Sequence, residues 1–392
     1  MRSFEPVRVG VIGLGDISDV YLRMIARSPA LSLAGVASAR PDHSEAVAQR
    51  LGCMALTQET LLENDDVEVI LDLTPTAAHD ALNEAILRAG KHLYTEKPLA
   101  LTKEQAGRLG ALARDGGLKA ASAPDTFFGA SHQKARRLLD AGEIGAPVFG
   151  TAFMGNAGVE NFHPNPEAFY RYGGSPPFDM GPYYVVQWVN LLGPVRRVAA
   201  GSAGTGAPRA IKTGPRSGQS FVVEVPTTYN CILDFDRASV ALTLSLDVVA
   251  HGRRHMELYG ETGLLGLSNP DFFGGEIIIS RSHGEQVINV EDLPFGIPNR
   301  LTKSGRHVAD YRGAGLVDLA IAVRTGVEPR ASLDLAVHVV EVVEAMSQSA
   351  AMRQSIEIQS DCQRPIPIGA RNGDELLLEL AASPFDYEEN DR

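Results

Sequence analysis

Apolar positions along this chain follow one spacing up to about residue 148 and another beyond it. In the first third, short apolar runs alternate with segments of helical period. Val7, Val9, Val11 and Ile12 mark a strand over 7–12, followed by a helix over 18–28. A strand is predicted over 31–38 and a helix over 43–51, then a strand over 67–73 and a helix over 77–89. His92-Leu93-Tyr94-Thr95 reads as the next strand, and Thr102 with Gln105 has the capping-box spacing that starts a helix. A further strand fits 119–123. Such alternation predicts a parallel sheet covered on both faces.

Beyond residue 148 the strands are closer together. They are predicted over 148–155, 195–200, 227–235, 239–246, 255–259, 264–267, 276–280 and 286–290. Short turns such as Asp234-Phe235-Asp236-Arg237 and Gly260-Glu261-Thr262-Gly263 join neighbours, which points to an antiparallel sheet. One helix interrupts it over 179–192, two more are expected over 308–325 and 332–352, and residues 201–218 read as a surface loop. The domains expected are 1–125 and 126–370, with 371–392 as an acidic tail (Asp374, Glu375, Glu379, Asp386, Glu388, Glu389, Asp391).

Length and composition narrow the class. A chain of 392 residues exceeds one ordinary core, and 44% hydrophobic with 21% charged residues is a globular balance. A net charge of −12 argues against a nucleic-acid binder. No apolar run is long enough for a membrane span, no signal peptide is evident, and Cys53, Cys231 and Cys362 lie far apart. A cytoplasmic protein without disulfides or metal is expected; His251 and His255 show no ligand spacing.

Gly13-Leu14-Gly15-Asp16-Ile17-Ser18 lies between the first strand and the first helix. The first glycine permits a tight turn and the second lets a pyrophosphate approach backbone N–H groups at a helix N-terminus. Gly13, Gly15, Asp16 and Ile17 are therefore candidate dinucleotide contacts. The second strand ends at Ser38, with Arg40 two residues on, where an NAD site usually carries a carboxylate for the ribose 2′-hydroxyl. A hydroxyl and a guanidinium suit a 2′-phosphate, so NADP is favoured over NAD. Lys97, in Glu96-Lys97-Pro98 at the end of the fourth strand, is aimed at the reactive end of such a cofactor and can stabilise negative charge on a substrate oxygen.

The ordered set Gly13-Leu14-Gly15, Leu73-Thr74-Pro75-Thr76-Ala77-Ala78-His79, Ala89-Gly90-Lys91-His92 and Glu96-Lys97-Pro98 resembles the glucose–fructose oxidoreductase/inositol dehydrogenase (Gfo/Idh/MocA) family. Gly142-Glu143-Ile144-Gly145 and Gly260-Glu261-Thr262-Gly263 are similar to further landmarks, so the likeness runs over about 7–368. The resemblance implies an α/β protein: a Rossmann domain, then an α/β domain with a large, open-faced, mostly antiparallel sheet. It implies that Thr74, Pro75, His79 and Glu96 join Lys97 around the cofactor, His79 also capping the Pro75 turn. It further implies that the lysine works beside a helix beginning Asp-x-Gly-x-His. Asp179 matches that aspartate, while Tyr183 stands at the histidine position, as in some members of the family.

A phenol can donate and accept a proton, but its reference pKa near 10 suits neutral pH poorly, and a nearby cation would lower it. Tyr183 is therefore the expected proton donor or acceptor, with Lys97 assisting, Asp179 orienting and Tyr184 packing. Asp179 and Tyr183, four apart, would share one helix face. Asp125 with Thr126, His163 in a Pro-bounded loop, and Arg312 are weaker substrate contacts; Arg312 and Asp318 could instead brace domains. The function expected is NAD(P)-dependent hydride transfer with a sugar, polyol or related cyclic alcohol or ketone. The alternatives are an NAD-retaining elimination or hydrolysis and a non-catalytic NAD(P) sensor. A homodimer or homotetramer is expected from the exposed sheet.

Overall fold

A computed structural model describes residues 4–302 and 305–382. The chain divides into two compact units. The first holds residues up to Ala130, Glu291–Val337 and the segment from Pro365; the second holds Ser131–Val290 and His338–Arg364. The domains expected, 1–125 and 126–370, are each contiguous, whereas both units draw on separate stretches of the chain. Side chains and backbone explain why the later segments return to the first unit. The Ser122 N–H donates to the Ala331 carbonyl at 3.1 Å, and fully buried Arg330 pairs with Asp318 at 2.6 Å and Asp374 at 2.7 Å.

The first unit alternates as its sequence predicts: β1 (Val7–Ile12), α1 (Ser18–Arg27), β2 (Leu31–Ala37), α2 (Pro41–Leu51), β3 (Met54–Ala55), α3 (Gln58–Glu63), β4 (Val69–Asp72), α4 (Thr76–Arg88), β5 (His92–Thr95), α5 (Lys103–Asp115) and β6 (Ala120–Ser122). The strands form one parallel sheet in the order β3-β2-β1-β4-β5-β6. Val7, Val9, Val11, Ile70, Leu71 and Leu93 are fully buried, as a sheet covered on both faces requires. The order reverses beside β1, and ligands of such sheets bind beyond the strand ends at that point. Thr102 and Gln105 form the capping box expected for α5.

The second unit contains α6 (Ala130–Asp140, from its second residue), β7 (Pro147–Gly155), α7 (Pro176–Asp179), α8 (Gly181–Leu192), β8 (Arg197–Ala203), β9 (Arg209–Ala210), β10 (Ser220–Phe221), β11 (Thr228–Asp234), β12 (Ser239–Ser245), β13 (Met256–Gly260), β14 (Leu264–Leu267), β15 (Ile277–Arg281) and β16 (Gly284–Ile288). Its nine-stranded sheet runs β16-β15-β14-β13-β7-β12-β11-β8-β19, where β19 is Ile356–Glu357. The sheet is mixed: β12 and β7 pair in parallel at its centre and the remaining pairs are antiparallel. Trp188 of α8 packs so closely over β7 that a Cβ at Gly150 would lie 2.8 Å from its ring. The other face is open, with Phe149 stacked on Tyr259 at 4.3 Å and Ile232 exposed.

Several local expectations shift. The helix expected over 308–325 starts only at α9 (Ala314–Thr325), because Gly313 at φ +98° turns the chain and Val308 ends β18 (His307–Val308), which pairs with β17 (Arg300–Leu301). The expected loop over 201–218 contains the end of β8 and all of β9. The expected tail begins instead with α11 (Asp374–Ala382), where Leu377 is fully buried and Asp374 is held by Arg330; Asp386, Glu388, Glu389 and Asp391 lie outside the described residues. The long helix α10 (Leu333–Met352) agrees with its prediction within a residue. No helix among the described residues is long and apolar enough to cross a membrane.

Candidate functional site

The dinucleotide loop is built from the ends of β1 and β4. Gly13 has φ +101°, and a Cβ there would come within 2.5 Å of the Leu73 carbonyl carbon and 2.7 Å of the Thr74 nitrogen. Only glycine allows that approach. At Gly15 the reverse holds: the residue is exposed and a Cβ would meet nothing within 4 Å, which leaves the backbone open to an incoming group. Helix α1 begins immediately afterwards with no side-chain cap, so its first N–H groups are not claimed by a side chain at the Ncap position. Ser18, third in the motif, is buried and donates from its hydroxyl to the Gly15 carbonyl at 2.7 Å, which fixes the loop. These features fit a pyrophosphate. Asp16 is exposed and Ile17 half-buried at the same edge.

At the end of β2, the Ser38 hydroxyl donates to the Arg40 carbonyl at 2.9 Å and lies 2.9 Å from the Ser44 hydroxyl. Arg40 itself is exposed, at the start of α2. No carboxylate occupies this strand end.

The ends of β4 and β5 are tied together through one imidazole. Buried His79 places Nδ1 2.7 Å from the Pro98 carbonyl and Nε2 2.8 Å from the Thr74 carbonyl. Both ring nitrogens thus lie against backbone carbonyls, which holds the turn. Thr74 in turn donates from its nitrogen (2.8 Å) and hydroxyl (2.6 Å) to Asp72. Burial pushes the Asp72 carboxyl above its ordinary range, against the pull of His79 and of the two Thr74 bonds. Pro75, preceding α4, sets that turn. Glu96 is occupied as well: it accepts from the Tyr21 hydroxyl at 2.7 Å and from the Lys97 backbone N–H at 2.9 Å. Lys97 is half-buried just past the carboxyl end of β5, where open sheets of this kind place reactive groups.

In the second unit, the expected single helix carrying Asp179 and Tyr183 is broken at Met180. Asp179 closes α7 and Tyr183 lies in the first turn of α8, so the i,i+4 argument holds only approximately. Pro176 and Pro177 start α7, while Gly181 and Pro182 restart the chain; the glycine and Pro182, which has no N–H to donate, explain the interruption. Gly181 is also where helix meets core, since a Cβ there would lie 3.1 Å from Val343. Tyr183 is 9% exposed against 0% for Tyr184. Tyr184 donates to the Phe153 carbonyl at 3.3 Å, and burial pushes its phenol far up, which makes it the packing residue.

Asp125 is buried and accepts from the Gly313 and Gly315 N–H groups, each at 2.8 Å, so it anchors the start of α9. Burial pushes its carboxyl up to about 6. Thr126 is buried in a short 3₁₀ turn. Arg312 pairs with Asp310, while Asp318 pairs with Arg330 and Arg371; these are two separate structural networks. His163 is half-buried in its loop, edge-on to Phe169 at 5.3 Å and accepting from the Asn165 N–H at 3.1 Å. Asp72 and Tyr21 were not foreseen. A carboxylate at a strand's last residue could have flagged Asp72, whereas Tyr21 reads in sequence as one more apolar-face aromatic. Among the described residues no group of three or more His, Cys, Asp or Glu could hold a metal.

Two family models, an oxidoreductase family with an NAD-binding Rossmann fold and the GFO/IDH/MocA C-terminal domain, match residues 7–123 and 132–266. The chain belongs to the Gfo/Idh/MocA oxidoreductase family. It is 33% identical over 186 residues to a dTDP-3,4-didehydro-2,6-dideoxy-alpha-D-glucose 3-reductase of Actinomadura kijaniata, a match covering 46% of this chain and 54% of that protein. It is 30% identical over 139 residues to the inositol 2-dehydrogenase of Rhizobium meliloti (strain 1021), covering 36% and 43%. The chain thus spans about half the length of such relatives. A levoglucosan dehydrogenase solved with NADH has a similar fold at a TM-score of 0.76 and 20% identity, over 91% of this chain and all of that one.

Proposed function

We propose that this member of the family is an NAD(P)-dependent oxidoreductase acting on a secondary alcohol, or the matching ketone, of a sugar, polyol or related cyclic compound. When bound, the nicotinamide takes up or releases the hydride. The observation that carries the reading lies within the first unit: an open glycine cradle at Gly15 and an ammonium, Lys97, at the carboxyl end of a nearby strand. Gly13, Gly15 and the start of α1 would hold the pyrophosphate, with Asp16 and Ile17 at its edge and Thr74 and Pro75 beside it. Ser38 and Arg40 favour NADP, because a hydroxyl and an exposed guanidinium accept a 2′-phosphate that a carboxylate would repel.

In this reading the Lys97 ammonium hydrogen-bonds the substrate oxygen and stabilises its negative charge. Tyr183 takes or returns the hydroxyl proton and Asp179 orients the alcohol. The substrates named for the two relatives, a dTDP-linked deoxy-keto sugar and an inositol, support the sugar or polyol class. The absence of paired cysteines among the described residues supports the cytoplasm, and the open sheet face around Phe149, Tyr259 and Ile232 supports a homodimer or homotetramer.

Titration of NADPH and NADH by fluorescence, followed by a screen of sugars and inositols for net NADPH formation, tests the proposal. Tighter binding of NADPH and net reduction of NADP by one of these compounds are expected. Binding of neither nucleotide would overturn it, and product formed without net reduced nucleotide would replace it with the NAD-retaining alternative.

A further inference from the structure

We propose that Tyr21 is a positioning residue for Lys97, acting through Glu96. The inference rests on the assignment of Lys97 to the substrate oxygen, and the geometry is confined to the first unit. One carboxylate bridges two elements: Glu96 Oε1 accepts from the Tyr21 hydroxyl at 2.7 Å, and Oε2 accepts from the backbone N–H of Lys97 at 2.9 Å. Tyr21 comes from α1, the helix that opens at the dinucleotide loop. A chain of two bonds therefore runs from that helix to the backbone of the lysine. It supplies a fixed reference where the chain leaves β5 and the strand ladder stops.

The hydroxyl has a fixed address because the ring cannot move. Tyr21 is fully buried and lies edge-on to Tyr94, ring centroids 6.0 Å apart. Gly313, with φ +98°, lets the chain entering α9 close over it: a Cβ there would come within 3.3 Å of Tyr21 Cδ1 and 2.9 Å of Met24 Cγ. Asp125 holds that segment down through the Gly313 and Gly315 N–H groups. Burial, then the negative charge of Glu96, push the phenol of Tyr21 well above its ordinary value. It is thus a permanent donor to Glu96 and no source of protons for the reaction. Its position, 75 residues before Glu96, gives no hint of this in the sequence.

Tyr21→Phe removes one oxygen, keeps the ring packing and tests the proposal. On a sugar or polyol turned over by the wild-type enzyme, kcat should fall about tenfold while KM and the NADPH dissociation constant stay within about twofold. Glu96→Gln, which cannot accept both bonds in the same way, should show the same split, and the double variant should be no slower than Glu96→Gln alone. A second readout is independent of turnover. In protein reductively methylated with ¹³C-formaldehyde, the dimethyl-lysine signal missing from Lys97→Arg identifies Lys97, and Tyr21→Phe should displace it. A lower melting temperature with kcat and that signal unchanged would reduce Tyr21 to a packing residue and overturn the proposal. Should the wild type turn over no sugar or polyol, the reading of the substrate fails, and the Lys97 signal alone decides the role of Tyr21. If Tyr21→Phe does not fold, Glu96→Gln carries the same measurements with the same deciding outcomes.

Discussion

Three buried ionisable groups, one in the first unit and two in the second, respond to acid in opposite directions. The first buries Asp125, whose carboxyl is pushed up to about 6; the second buries His132 and His338, both pushed down to about 4. Burial is the leading cause in each case, because it penalises whichever form is charged. The partners differ in what they offer. Asp125 faces two N–H donors, His132 faces the Phe272 carbonyl at 2.7 Å, and His338 accepts from the Val195 N–H at 3.0 Å. A carboxylate that gains a proton and an imidazole that refuses one give their units opposite responses to acid.

The largest effect that sharpens this contrast comes from removing the cation that the first unit does bury with full compensation. Arg330→Ala leaves Asp374 without its ion-pair partner and Asp318 with Arg371 alone, and should cost about 3–5 kcal/mol. Peptide-resolved hydrogen exchange should show the loss over 314–337 and 374–382, with β7–β16 unchanged; an even loss across both units would break the contrast.

Acid itself is next. Between about pH 6.5 and 4 an unfolded histidine takes up a proton that His132 and His338 do not, so the second unit loses on the order of 3 kcal/mol for each as pH falls. Over about pH 6 to 4 native Asp125 takes up a proton before the unfolded aspartate does, so its contribution to the first unit rises by on the order of 3 kcal/mol as pH falls. Exchange protection measured at pH 7 and pH 4.5 should drop further in the second unit, and Asp125→Asn should erase the first unit's compensating gain.

Smaller still is the effect at the loop. Gly15→Ala has open space and should leave stability within about 0.5 kcal/mol while weakening NADPH binding about tenfold, whereas Gly13→Ala collides with the backbone of Leu73 and Thr74 and should unfold the loop. Fluorescence titration beside thermal melts separates the two. At the low end, Thr102→Ala removes a complete capping box and should cost about 1 kcal/mol, read from the denaturation midpoint.

What could be read from the sequence follows the same division. In the first unit the glycines, the capping box and the strand alternation each act over a few residues, so their signals survive in one dimension. The second unit yielded its strands but not their pairing, because nothing in β7 or β12 announces that they run parallel across nearly 90 intervening residues. The break at Met180 hid behind an apolar helical period that continues through it. Side-chain roles were the hardest. Nothing in one dimension shows that Asp125 holds the Gly313 and Gly315 N–H groups or that Arg312 pairs with Asp310, whereas the place of His79 beside the Pro75 turn was legible.

We propose that Lys97 and Tyr183 serve one reaction. Turnover of Lys97→Met, Tyr183→Phe and the double variant, on a compound the wild type oxidises or reduces with NADPH, tests it most directly. Each single variant should lose about 100-fold or more in kcat, and the double should be little worse than either, as expected for groups acting as a unit. Turnover near wild type in Tyr183→Phe, or losses that multiply fully in the double variant, would contradict it.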